Sequence, residues 1–370
     1  MSLARGLAGR KQADGTTSAK VTVVTRTSRG TFDDESLPFQ VVRRPSLGAL
    51  VRLVQATDVV HLAGPAMLPM LAGLVLRKPV VVEHHGFQSI CPNGQLLHEP
   101  TQMPCPGHFM AGRYWECWRC NTKEGAGKSL KMALHTFPRR WLCKFVAMNV
   151  TPTDWLATVL QLPRMTTIHH GILANGERDG FLPRTSPPTF GFVGRLVSTK
   201  GVHVLLRAMR ELASRGCKFR LKIVGDGPER SALEAQTRSL GLMDKVQFLG
   251  HLSEEELDDT VPEFVAVVIP SLGGEVFGMV ALESMSRAKP VIVSDLGALV
   301  EVAGVGGRAF ASGDSRALAE CLEQILESPD SAVLLGQDAQ KRADLYFTND
   351  RMISEHLFVY QRLVEGAERI

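Results

Sequence analysis

Tyrosine is scarce in this 370-residue chain, with three in all, and aromatic residues make up only 6% of it. Few stacking platforms and a net charge of only +4 argue against a nucleic-acid binder, which would carry a dense basic stripe with interleaved rings. Long apolar runs are missing too. The longest uncharged segment, Val59 to Leu76, is interrupted by His61, Gly64, Pro65, Pro69 and Gly73. It lies near the lower limit for a membrane span and reads better as a buried strand followed by a helix ending at Arg77-Lys78-Pro79. The opening, Met1 to Lys20, has no apolar core of a secretion signal, so a cytoplasmic protein is expected. No repeat of solenoid length occurs. In that compartment the seven cysteines are expected as thiols or metal ligands rather than disulfides.

What is present is alternation. Short β-branched runs alternate with longer helical patterns, the mark of parallel sheets in an α/β protein. First-half strands are expected at Lys20 to Thr25, Val59 to Leu62, Val80 to Glu83, Phe145 to Thr151 and Thr166 to His169. Second-half strands are expected at Thr189 to Val193, Phe219 to Val224, Val246 to Leu249, Val265 to Ile269, Val291 to Val293 and Gly307 to Phe310. The length suits two domains, each able to bury a core. Their junction falls in a stretch rich in Gly, Pro and charge, with Asn175-Gly176 and Ser186-Pro187-Pro188. The expected division is 1–173, a linker at 174–188, 189–350, and a last helical segment 351–370 that can lean back on the first domain. The chain opens on Ser2-Leu3-Ala4-Arg5-Gly6-Leu7-Ala8-Gly9-Arg10, the pattern of a helix's end. The first strand and glycine turn of the N-terminal domain are therefore expected to be missing, as in a truncated product.

The chemistry concentrates where strands end. Phe264 to Ile269 stops at Pro270-Ser271-Leu272-Gly273-Gly274, followed by Glu275 and, eight residues later, Glu283. Strand, glycine loop and helix start place free N–H groups near Phe277, Gly278, Met279 and Val280, a ready anion site between two carboxylates. A nucleotide sugar has phosphate at its centre and hydroxyls at both ends. Gly194-Arg195 also follows a strand, and Lys200-Gly201 opens the next helix. Two cations there can clamp a diphosphate in place of a divalent metal. Asp226, in Gly225-Asp226-Gly227-Pro228, reads as a turn or cap residue.

Gly194-Arg195, Lys200-Gly201, Val224-Gly225-Asp226-Gly227-Pro228, Phe248-Leu249-Gly250 and Glu275 with Glu283 occur in this order. Together they resemble the retaining GT-B glycosyltransferases of family 4, densely over residues 189 to 314. The resemblance implies two Rossmann-like doubly wound domains facing a cleft, with the nucleoside-diphosphate sugar held mainly by the C-terminal one. It assigns Arg195 and Lys200 to the diphosphate, Glu283 to the ribose and Glu275 to the transferred sugar. The N–H groups around Phe277, Gly278 and Met279 complete the phosphate cradle, and His85 of Val82-Glu83-His84-His85-Gly86 faces the donor sugar. His170 stands where the family has Asn and reads as structural. The implied activity moves a sugar to a glycan or lipid-linked acceptor with retention and without a catalytic metal, in polysaccharide or glycoconjugate synthesis. A nucleotide-sugar epimerase, a phosphorylase, or a nucleotide-binding module without turnover are the competing readings.

An irregular insert, residues 89–121, carries Cys91, Cys105, Cys117 and Cys120. A structural zinc or an iron–sulfur cluster, unliganded thiols and disulfides are the alternatives, in that order. Finally, Lys123 to Lys144 mixes Lys128, Lys131, Arg139 and Arg140 with Leu, Met, Phe and Trp. Such a stretch is either a helix with a solvated cationic face or a peripheral contact with an anionic membrane.

Overall fold

The computed structural model describes residues 2–10, 19–28, 33–122, 125–172 and 186–367. The expected linker, 174–188, lies outside them except for its last three residues.

In the first half, β1 (Thr22–Thr25) and β2 (Gln40–Arg43) form a parallel pair. β3 (Val60–Ala63), β4 (Val80–Glu83), β7 (Met148–Thr151) and β8 (Met165–Thr167) make a parallel sheet in that order. β4 is buried along its whole length, as its unbroken Val80-Val81-Val82 run requires of a strand covered on both faces. Between β4 and β7 the insert forms a short antiparallel hairpin, β5 (Leu97–His98) with β6 (Met103–Pro104). Neither that hairpin nor β2 was expected from the sequence, because segments this short show no period.

In the second half, β9 (Thr189–Val193), β10 (Arg220–Val224), β11 (Val246–Gly250), β12 (Phe264–Ile269), β13 (Val291–Ser294) and β14 (Gly307–Phe310) pair in parallel. Their order is β11-β10-β9-β12-β13-β14. Chain direction across the sheet reverses between β9 and β12. The loops leaving those two strands part to opposite faces there, and doubly wound sheets bind ligands in the crevice so formed. One face packs Phe190, Phe192, Leu205, Met209 and Leu322 into a core, and the other packs Phe264, Val267, Leu282 and Leu299.

The last helix, Asn349–Ala367, returns to the first half. Met352, Ile353 and Val359 bury against Val81, Val150 and Ile168 of its sheet and against Leu7. Tyr360 Oη and His61 Nδ1 lie 2.7 Å apart. A second link joins the halves at the helix Asp154–Leu160, whose N-cap Thr153 donates to the Val276 carbonyl at 2.9 Å. Glu301 accepts the N–H of Asp154 on one oxygen and that of Trp155 on the other, each at 2.8 Å. A carboxylate of one half thus caps a helix of the other. Among the described residues, no helix is long and apolar enough to cross a membrane.

Candidate active site

The crevice is assembled by two loops that are hydrogen-bonded to each other. Leu272 N, after β12, donates to the Thr199 carbonyl, after β9, at 2.7 Å. Gly201 follows with φ +64°, and a Cβ there would stand 1.9 Å from the Pro270 carbonyl oxygen. Only glycine permits both the left-handed turn and this approach. The result brings Lys200 to Glu275, Nζ to Oε1 at 2.6 Å. Ser271 Oγ donates to the same oxygen at 2.8 Å. Glu275 is buried, whereas Lys200 keeps part of its surface open to the crevice.

Gly194 follows β9, and Arg195 beyond it is exposed. Phe277 is fully buried, while Gly278 caps the helix Met279–Met285 with φ +96°. Met279 and Val280 therefore lie in the helix's first turn, whose N–H groups lack acceptors within the helix. Glu283, in the same helix, is exposed at the surface. Crowding around it still holds back enough water to raise its pKa, and Arg287 only partly offsets this. Asp226 accepts the Gly227 N–H at 2.6 Å and pairs with Arg230, as a turn residue does.

The first half contributes histidines. His85 stacks on His170 with ring centroids 5.3 Å apart and planes 15° from parallel. His170 in turn meets Phe277 edge-on at 5.1 Å. A residue read as structural from the sequence thus touches both His85 and the aromatic Phe277 of the loop after β12. Behind the pair lies Glu83, at the carboxyl end of β4 and almost fully buried. Its Oε2 is 3.0 Å from His61 Nε2, 3.5 Å from His85 Nε2 and 3.7 Å from His356 Nε2, and its Oε1 is 3.7 Å from His170 Nδ1. Burial alone pushes the Glu83 carboxyl up. His356, His61 and His85 together outweigh burial and hold it well below the ordinary carboxylate range. Burial lowers His170 to about 4, and it does the same to His84, which contacts Asn149 Oδ1 at 3.0 Å. Sequence reading passed over Glu83, His61, His356, Tyr360, Ser271 and Glu301. A carboxylate ending an otherwise apolar strand was the one local signal available.

Cys91, Cys105, Cys117 and Cys120 converge on one small cavity, which Glu116 and His108 also line. All four are free thiols. Burial pushes Cys117 up to about 12 and Cys120 up to about 11. The helix Ala126–Cys143 occupies most of the basic stretch; residues 123 and 124 lie outside the described ones.

Comparison with known proteins gives this geometry a context. Residues 176–342 match the family model described as glycosyl transferases group 1. The 2-deoxystreptamine glucosyltransferase of Streptomyces kanamyceticus is 33% identical over 150 residues, 40% of this chain and 38% of the relative. Glycogen synthase of Mycobacterium tuberculosis is 33% identical over 184 residues, 49% of this chain and 44% of the relative. The matched segment thus spans less than half the length of either curated relative. Solved structures extend the likeness across the whole fold. Sucrose-phosphate synthase from Thermosynechococcus elongatus superposes with a TM-score of 0.70 at 20% identity, covering 98% of this chain and 92% of that one. Anabaena HepE in complex with UDP and glucose gives 0.66 at 18% identity, covering 100% and 94%. The chain has the GT-B fold, as its sequence motifs implied.

Proposed function

We propose that this chain transfers a sugar from a nucleoside-diphosphate sugar to an acceptor hydroxyl with retention of anomeric configuration. One observation carries the reading: Lys200 and Glu275 pair at the crevice between β9 and β12, beside a helix N-terminus. As the glycosidic bond breaks, negative charge develops on the departing diphosphate. Arg195, Lys200 and the N–H groups of Phe277, Gly278, Met279 and Val280 stabilise it. Lys200 is held by Glu275 before the donor arrives, so little reorganisation is left for the reaction itself. Glu283 takes the ribose, and Glu275 orients the transferred sugar from below. His85 closes the far side, its ring fixed by the stack on His170 and by Glu83. With no carboxylate assigned as nucleophile, attack on the face of the leaving phosphate preserves configuration.

HepE has been solved with UDP-glucose, which makes that donor the first to test. The assay measures UDP release with a panel of glycan and lipid-linked acceptors and reads the product anomer by NMR. Acceptor-dependent release with retained configuration supports the reading. Inverted product, a donor epimer formed without acceptor, or phosphate-dependent glycan cleavage would each replace it.

We also propose that transfer takes place at the cytoplasmic face of an anionic membrane. Leu130, Leu134, Phe137 and Trp141, followed by Phe145, recur at helical spacing and are all exposed, Leu134 and Trp141 at 58%. Leu68, Leu71 and Val75 are exposed on the neighbouring helix Met67–Val75. Lys131 and Lys144 flank the stripe and are exposed as well. Apolar side chains with a cationic border suit insertion at an anionic headgroup layer, where a lipid-linked acceptor resides.

A further inference from the structure

We propose that Cys91, Cys105, Cys117 and Cys120 bind one zinc ion, a structural centre that orders the insert between residues 89 and 121. Three features of the fold point to it.

The first is convergence. Four thiols spread over thirty residues of sequence line one cavity. Three of the four are buried and Cys105 is partly so, and a void between buried side chains forfeits packing unless an atom occupies it. Soft thiolates in a set of four select zinc among the common divalent ions.

The second is the surroundings of the sulfurs. Glu99 N donates to Cys120 Sγ at 3.3 Å, and Asn93 Nδ2 approaches the same sulfur at 3.6 Å. The Leu96 N–H points at Cys91. Such donors offset the negative charge that four thiolates carry around a divalent ion.

The third is how little regular structure the insert has besides the helix Tyr114–Cys120. Its hairpin pairs two residues with two, and much of the remainder is turns. A segment of this length needs an internal anchor. The anchor reaches the crevice as well. Gly274 N, one residue before Glu275, donates to the Gln95 carbonyl, and Leu97 packs on Val204 and Leu272. The insert is therefore a buttress for the donor loop.

The test uses the full chain, produced with zinc and iron both supplied and purified without chelator. Elemental analysis should find about one zinc per chain, released by a mercurial thiol reagent. Cobalt(II) exchanged into the wild-type protein should show the absorption of a tetrahedral thiolate complex. Cys117→Ser should lose the zinc, and Cys321→Ser, remote from the cavity, should keep it. Should Cys117→Ser fail to fold, the zinc content and cobalt spectrum of the wild-type chain decide the matter. Iron with acid-labile sulfide, fewer than seven titratable thiols in the denatured unreduced chain, or a metal-free chain that refuses cobalt would each overturn the proposal.

Discussion

His356 Nε2 stands 3.7 Å from Glu83 Oε2 and has no hydrogen-bond partner among the described residues. The ring's other nitrogen lies 2.8 Å from the Met352 carbonyl and donates to it. Nε2 is thus the atom left to meet the carboxylate, and the last helix reaches the histidines of the crevice through it. Glu83 acts on His85, not on substrate, so it is a positioning residue. Glu83→Gln should lower transfer by at least tenfold, mainly in kcat, and shift the pH profile of kcat. A variant of wild-type kcat and unchanged pH profile would show that the cluster is structural only.

Acid should weaken the fold in a defined window. His84 and His170 have folded pKa values of about 4, below the ordinary 6.5, because burial penalises their charged forms. The unfolded chain therefore binds more protons between these values, and stability falls as pH drops from 6.5 toward 4. Each can contribute roughly 3 kcal/mol. Glu83, depressed well below its ordinary value, adds a loss that continues at still lower pH. Urea midpoints measured from pH 7.5 down to 4.5 should decline steadily. Replacing His84 with Gln should flatten part of that decline, and a curve unaltered by this change would contradict the assignment.

Lys200→Ala should reduce kcat roughly 10²–10³-fold, the range found when a preorganised charge stabiliser is removed. Glu275→Ala should do comparable damage, since it both leaves Lys200 unpaired and removes the group assigned to the sugar. UDP-glucose binding, followed by thermal shift, should weaken less than turnover. Near-normal turnover in either variant would sink the donor-site reading.

Trp141→Ser and Phe137→Ser together should abolish sedimentation with vesicles containing anionic phospholipid and leave turnover of a soluble acceptor analogue unchanged. Binding of the wild type should fall with added salt, because Lys131 and Lys144 contribute through screened charge. Absence of wild-type binding to such vesicles would refute the membrane surface.

The sheet of the second half was legible because three of its inner strands, β9, β12 and β13, are apolar runs closed by glycine, proline or polar residues. Parallel strands buried on both faces leave that trace. The candidate residues of the donor loops were legible for the same reason, being confined to the carboxyl ends of those strands. The clustering of Glu83 with His61, His170 and His356 was not, although His85 itself was singled out. His61 lies 22 positions before the carboxylate and His356 far beyond it, and only the return of the last helix makes them neighbours. Glu301 was invisible for a similar reason, since its two partners are backbone N–H groups that no side-chain pattern encodes. The short hairpin at β5 and β6 owes its place to the insert's contacts rather than to its own residues.

The Glu301 clasp has one more consequence. Its two hydrogen bonds join a carboxylate to the exposed start of a helix, groups that water serves nearly as well. Exchanging those two bonds for hydrated ones carries a net loss of only about 1–3 kcal/mol, while Gly274 with Gln95 and Phe277 with His170 also span the halves. The contact between Thr153 and Val276 would yield with the clasp. Such a catch favours one alignment of the two domains without locking it.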